Sequence, residues 1–193
     1  MGQVVRAIRA QSAGFRRLQE KQFFNMLQNG ITYNASPKAN KVSTNKTITA
    51  KAYDEMRQLM RSQKDKEGKA YIGVFPKYIV ASDAYGYQHE VLLVSASDPA
   101  QNNANVANIM RNKMILITSP YITVSSNKGY FAVADPAEME GIEFTTLNGV
   151  DRPYSRTVVP QNHLGINYQF WMDWNFNLID DRAFVYNDGS SIS

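Results

Sequence analysis

Few residues in this 193-residue chain are of the types that carry chemistry, and their spacing limits what each can do. His89-Glu90 is followed by Val91, Leu92 and Leu93, so the second histidine of a helical zinc motif is absent. His89 is therefore expected to be a structural helix residue. His163 has no acidic or histidine neighbour close in sequence and makes a poor metal ligand. Asp180 and Asp181 are adjacent carboxylates that a strand would point to opposite faces, so a turn before Arg182 explains them better than a metal pair. Asp135, Glu138, Glu140 and Glu143 form an acidic cluster around a chain break, with no basic or histidine partner fixed beside it, and read as a solvated or subunit-facing surface. Phosphate-binding glycine loops and a nucleophile-elbow serine are both missing. With no cysteine there is no thiolate nucleophile, zinc-thiolate site or disulfide framework. No catalytic, cofactor-binding or metal residues are expected, and no cofactor.

The charge is informative through its distribution. Up to Gly30 the chain carries Arg6, Arg9, Arg16, Arg17 and Lys21 against Glu20 alone, which accounts for the whole net charge of +4. A basic helix of this kind can bind nucleic acid, meet an acidic neighbouring subunit, or present a solvated face. No apolar run approaches the ~20 residues that span a bilayer, and the first residues lack the apolar core of a secretory signal. The protein is expected to act where it is made, with no membrane partner and no small-molecule substrate.

Several elements must position these residues. Val4, Ile8, Phe15, Leu18 and Met26 recur near helical spacing, with Phe23 and Leu27 beside them, and predict a helix over 3–28 that Asn29-Gly30 stops. Thr49 caps a second helix that buries Tyr53, Met56, Leu59 and Met60, with Ile48 and Tyr53 as its hydrophobic staple. Tyr71 to Phe75 and Tyr78 to Ala81 read as short strands separated by Pro76. Ser82-Asp83 caps a third helix that runs to Val94. Met114 to Thr118 and Tyr130 to Ala134 read as strands, and Ile142 to Leu147, Asn148-Gly149 and Tyr154 to Val159 as a hairpin.

From Ile166 to Leu178 the even positions are apolar and the odd ones mostly polar, which predicts one long strand crossing the domain with its even face buried against the first helix. Trp171 breaks the polar face and is a candidate for a second packing layer or a contact between chains. The order of helices and then strands places the chain in the α+β class.

These segments resemble the Mu-type major head proteins of tailed bacteriophages. The phrase Gln63-Lys64-Asp65-Lys66-Glu67-Gly68 at the end of a helix, leading into Pro76-Lys77-Tyr78-Ile79-Val80, is similar to that family's pattern. Asn105 to Tyr121, Tyr130 to Pro136 and Ile142 to Tyr154 follow in the family's order. The ending Asp181-Arg182-Ala183-Phe184-Val185-Tyr186 resembles that of Hong Kong 97-type capsid subunits.

The resemblance implies a Hong Kong 97-like capsid fold. Residues 1–68 and 136–193 would form a peripheral domain with spine helix 3–28 and long strand 166–178, and residues 69–135 an axial domain. It implies a non-catalytic shell subunit of a phage or prophage head, made in the bacterial host cytoplasm and residing in the virion capsid. Its partners would be copies of itself and other head proteins, with packaged DNA met only indirectly. Arg6, Arg9, Arg16, Arg17, Lys21, Trp171, Glu138, Glu140 and Glu143 are the candidate subunit contacts. The family's N-terminal arm and extended loop precede the spine helix, where this chain starts. A fragment, or the remnant of a larger gene, that stays a monomer or a small, weakly associated oligomer and closes no shell is the corresponding expectation. The rival reading is a basic α+β nucleic-acid-binding domain.

Overall fold

The computed structural model describes the backbone of residues 2–34, 39–99, 106–162 and 164–192, and the side chains of all of these except 2–5 and 8. The expected contributions of Val4 and Ile8 to a helical stripe, and that of His163, lie outside the described residues.

A four-stranded mixed sheet forms the centre, in the order β2-β1-β3-β8. Its strands are β1 (Pro76–Ser82), β2 (Ile115–Ser119), β3 (Tyr130–Ala134) and β8 (Phe184–Asn187). β1 and β2 run parallel, while β1 with β3 and β3 with β8 are antiparallel. The inner strands are nearly continuous apolar runs, because both faces of the sheet are covered and alternation with polar residues is not needed.

On one face helix α2 (Ala50–Arg61) and helix α3 (Gly86–Val94) bring Tyr53 and His89 onto Tyr130. On the other, Phe131 stacks on Tyr186 and meets Tyr33, whose hydroxyl donates to the carbonyl of the buried Leu27. The outer edge of β8 is closed by Asn40 to Val42 through two backbone hydrogen bonds of 2.9 Å to Tyr186.

Local chemistry sets the helix boundaries much as the sequence indicates. The Thr49 side chain accepts from the Ala52 amide at 3.2 Å, and α2 buries Ala52, Tyr53, Met56 and Met60 on one face, with Leu59 half-buried. Ser82 accepts from the Ala84 amide and opens a 3-10 turn, Asp83–Tyr85, that runs into α3. Asp180 likewise caps the turn Asp181–Ala183 by accepting from the Arg182 amide. The segment 71–75 differs from expectation and is irregular: Gly73 sits at φ +73° and turns the chain just before β1.

The first helix, α1 (Gly2–Asn25), continues through a π turn, Met26–Gly30, into the body. Among its described side chains, those at the C-terminal end enter the core, through Phe24 and, in the π turn, Leu27.

The stretch 166–178 is not one strand and does not cross a core. It forms two strands, β6 (Asn167–Trp171) and β7 (Trp174–Leu178), separated by Met172 and Asp173. Their partners are β5 (Tyr154–Val158) and β4 (Ile142–Thr146), so the segments expected to form a hairpin with one another instead lie end to end along one side of a ribbon. Between β4 and β5 seven residues, 147–153, face the two residues of the opposite side. That mismatch cannot be absorbed in a continuous ladder, and Asn148 and Gly149, both at positive φ, carry the excess outward as a turn.

The even-face assignment holds only in part. Met172, Trp174 and Phe176 face α1 and are half-buried, whereas Ile166, Tyr168 and Leu178 are exposed and nothing in the stretch is fully buried.

Candidate functional site

The surfaces available for contact follow from how α1 and the ribbon meet. The Phe15 ring meets Trp174 edge-on with centroids 6.1 Å apart, and Phe23 meets Phe176 at 5.8 Å. Between them the Trp174 indole N–H donates to Gln22 at 2.6 Å, and the Gln19 amide lies 3.6 Å from the Met172 sulfur. Residues 15, 19, 22 and 23 share one helical face, and residues 172, 174 and 176 one face of the ribbon, so the two periodicities match. This seam is thin. The outer half of the ribbon, β5 with β6, is largely exposed on both faces, and so is α1 from Arg6 to Gly14.

All five candidate cations, Arg6, Arg9, Arg16, Arg17 and Lys21, are exposed along α1, and among the described residues none forms an ion pair. The carboxylates Glu138, Glu140 and Glu143 are also exposed, at the turn after β3 and the start of β4. Glu140, Glu143 and Phe23 line one shallow cavity of about 390 Å³, which puts the acidic group at the body end of α1. Arg6 stands 17 residues up the helix from Phe23, about 25 Å away at 1.5 Å per residue. The cations run along the helix from Arg6 to Lys21, two residues before Phe23, so only Arg6 and Arg9 stand far from the acidic group.

Asp135 differs from expectation within the acidic cluster. Lys77, 58 residues earlier in the chain, pairs with it at 2.5 Å. That hydrogen bond holds the Asp135 carboxyl below its ordinary range and raises the Lys77 ammonium. Trp171 stacks on its cross-strand partner Tyr154, with centroids 5.7 Å apart and rings 14° from parallel, and remains 43 % exposed. The pair is a flat aromatic platform on the outer ribbon with no layer above it among the described residues.

Two side chains that carry no motif prove to be central pins. Gln28 donates to the carbonyls of Phe24 and Tyr121 and accepts from the amides of Thr123 and Val124, fastening the loop after β2 to the end of α1. Glu55 on α2 accepts from the amides of Ser43, Thr44 and Asn45 and from the Asn45 side chain. Burial pushes its pKa up, but these hydrogen bonds outweigh that and hold it below the ordinary value. A buried or half-buried Gln or Glu beside a loop is too common a pattern for sequence to reveal either role.

Among the described residues, His89 and Asp180 are held in structural contacts. His89 is fully buried, with Nδ1 2.6 Å from the Tyr53 hydroxyl, and desolvation lowers its pKa to about 4. Asp180 is engaged with Arg182 through two carboxylate oxygens, an interaction that depresses its pKa. Among the described residues no three His, Cys, Asp or Glu side chains gather in a way that could hold a metal ion, and no helix is long and apolar enough to cross a membrane.

Comparison with known proteins gives one result. A family model described as phage capsid protein matches residues 1–187. No curated protein and no solved structure matches the chain. The match offers nothing for the rival reading of a nucleic-acid-binding domain.

Proposed function

The chain belongs to the phage capsid protein family, and from that membership we propose that it is a structural, non-catalytic subunit that packs against copies of itself in the shell of a phage or prophage head. The finer reading is a Mu-type head protein of Hong Kong 97-like fold. In it, α1 and the ribbon belong to a peripheral part, 1–68 with 136–193, and residues 69–135 form the axial part. The two parts share the central sheet through the pairing of β3 with β8. Other head proteins are further partners, and packaged DNA is met only indirectly.

The observation that carries the proposal is the α1–ribbon pair, which extends exposed apolar and charged surface that its own chain does not cover. The cations along α1, the farthest of them Arg6 and Arg9, and the carboxylates at its root suit neighbours stacked head to tail. Exposed ion pairs contribute only ~0 to 1 kcal/mol each and weaken with salt, so such contacts act in number and serve to set register.

Charge exchange tests this arrangement. Arg16→Glu with Arg17→Glu should weaken self-association measured by light scattering, and so should Glu138→Lys with Glu140→Lys and Glu143→Lys. Mixing the two variants should restore association. Loss in both variants without recovery in the mixture would reject the pairing of these two surfaces.

A further inference from the structure

Between the end of α2 and the root of the ribbon lies a cleft of about 790 Å³, walled by Gln63, Lys64 and Lys66 on one side and Leu178, Ile179 and Arg182 on the other. That volume is within the range of ~300 to 1,000 Å³ typical of ligand pockets, and it accommodates several side chains. The walls are tied together. Arg182 Nη1 donates to the Lys64 carbonyl at 3.1 Å, and the same guanidinium is clamped by Asp180.

Two features suit the cleft to receiving another chain. Leu178 and Ile179 are 36 % and 52 % exposed. Gln63 is 5 % exposed, yet neither its amide nitrogen nor its amide oxygen has a hydrogen-bond partner. A group that pairs with this amide makes a hydrogen bond that no described residue supplies. An extended backbone offers an acceptor and a donor side by side, which is what a carboxamide requires. Turning the Gln63 amide toward such a segment breaks no existing hydrogen bond.

The far end of the ribbon has the opposite property. At its tip Val159, Leu164 and Ile166 are 71 %, 107 % and 57 % exposed, an apolar group that no described residue covers. Tip and cleft sit at the two ends of the run Asn167 to Leu178, roughly 35 Å apart at ~3.3 Å per residue. A paired ribbon cannot fold back over that distance, so no chain fills its own cleft with its own tip.

We infer that the ribbon tip of one copy seats in the root cleft of another, with Leu164 against Leu178 and Ile179 and the tip backbone beside the Gln63 amide. The inference rests on the shell-subunit reading and specifies one of its contacts. Because the two surfaces differ, the contact is heterologous and runs head to tail, closing into a ring or propagating as a filament.

The chain has no cysteine of its own, so engineered pairs report the contact cleanly. Leu164→Cys chains are mixed under mild oxidation with Lys66→Cys chains, which carry the thiol in the cleft, or with Tyr87→Cys chains, which carry it on the exposed face of α3 as a control. The expected result is a disulfide-linked heterodimer, read by mass, with Lys66→Cys and its loss with Tyr87→Cys. Co-association in light scattering without that preference would overturn the tip-to-cleft contact and leave the subunit reading standing. A mass that stays at one chain at every concentration would overturn both. Gln63→Leu in the cleft partner should diminish the cross-link, and an undiminished yield would overturn the part given to the amide.

Discussion

His89 is packed between the rings of Tyr53 and Tyr130, and its surroundings fix its charge state. Burial keeps the Tyr53 phenol protonated, and its hydroxyl and His89 Nδ1 share a hydrogen bond of 2.6 Å. A histidine with its folded-state pKa lowered to about 4 binds fewer protons when folded than when unfolded, between that value and the ordinary 6.5. Its contribution is complete above pH 6.5 and is lost as pH falls through the window toward 4, by up to about 3 kcal/mol at 1.36 kcal/mol per pH unit. Urea unfolding at pH 7, 5 and 4 should show this decline, and His89→Gln should flatten it; an equal slope in the variant would assign the decline to other groups. The structural role of His89 was legible from its isolation in sequence. The partner of Asp135 was not, because Lys77 is brought to it by the pairing of β1 with β3, which no local pattern encodes.

At the level of elements, what could be read depended on whether the cause was local. Thr49, Ser82 and the Asp180-Asp181 turn act through hydrogen bonds to amides two or three residues away, and each lies where its residue type indicates. The ribbon followed a different logic. Alternation at 166–178 reports a strand with two unlike faces, but the same alternation suits a strand in a core sheet and a two-stranded ribbon laid beside a helix. What divides it is the unequal number of residues on the opposite side, and that depends on the registers of two earlier strands, β4 and β5. Asn148-Gly149 makes a turn as its residues predict, yet long-range pairing decides that the turn is an outward excursion and not a hairpin. The consequence for stability is specific. Phe176 lies between Phe23 and Phe144, with ring centroids 5.8 and 5.1 Å away, whereas Phe170 lies on the outer ribbon. Phe176→Ala should cost roughly 2 kcal/mol and Phe170→Ala under about 1 kcal/mol, less than the 3 to 5 kcal/mol of a core phenylalanine. Chemical denaturation of the two variants measures the difference, and equal costs would show that the seam with α1 does not hold the ribbon.

At the level of the whole molecule, a central sheet covered except at its β2 edge carries a helix and a ribbon that cover each other only along the seam near the body. Capsid-family membership gives that asymmetry a purpose, since a subunit finishes burying such surfaces when it meets its neighbours, and stable interfaces bury on the order of 1,000 Å² or more. Sedimentation of the full chain over a concentration series at ~150 mM salt, with and without duplex DNA, tests the central claim most directly, because phosphate binding by exposed cations falls steeply with salt while apolar contacts do not. The account predicts a mass that rises above one chain with concentration and is unchanged by DNA. A single-chain mass at every concentration, with DNA retained at that salt, would contradict it.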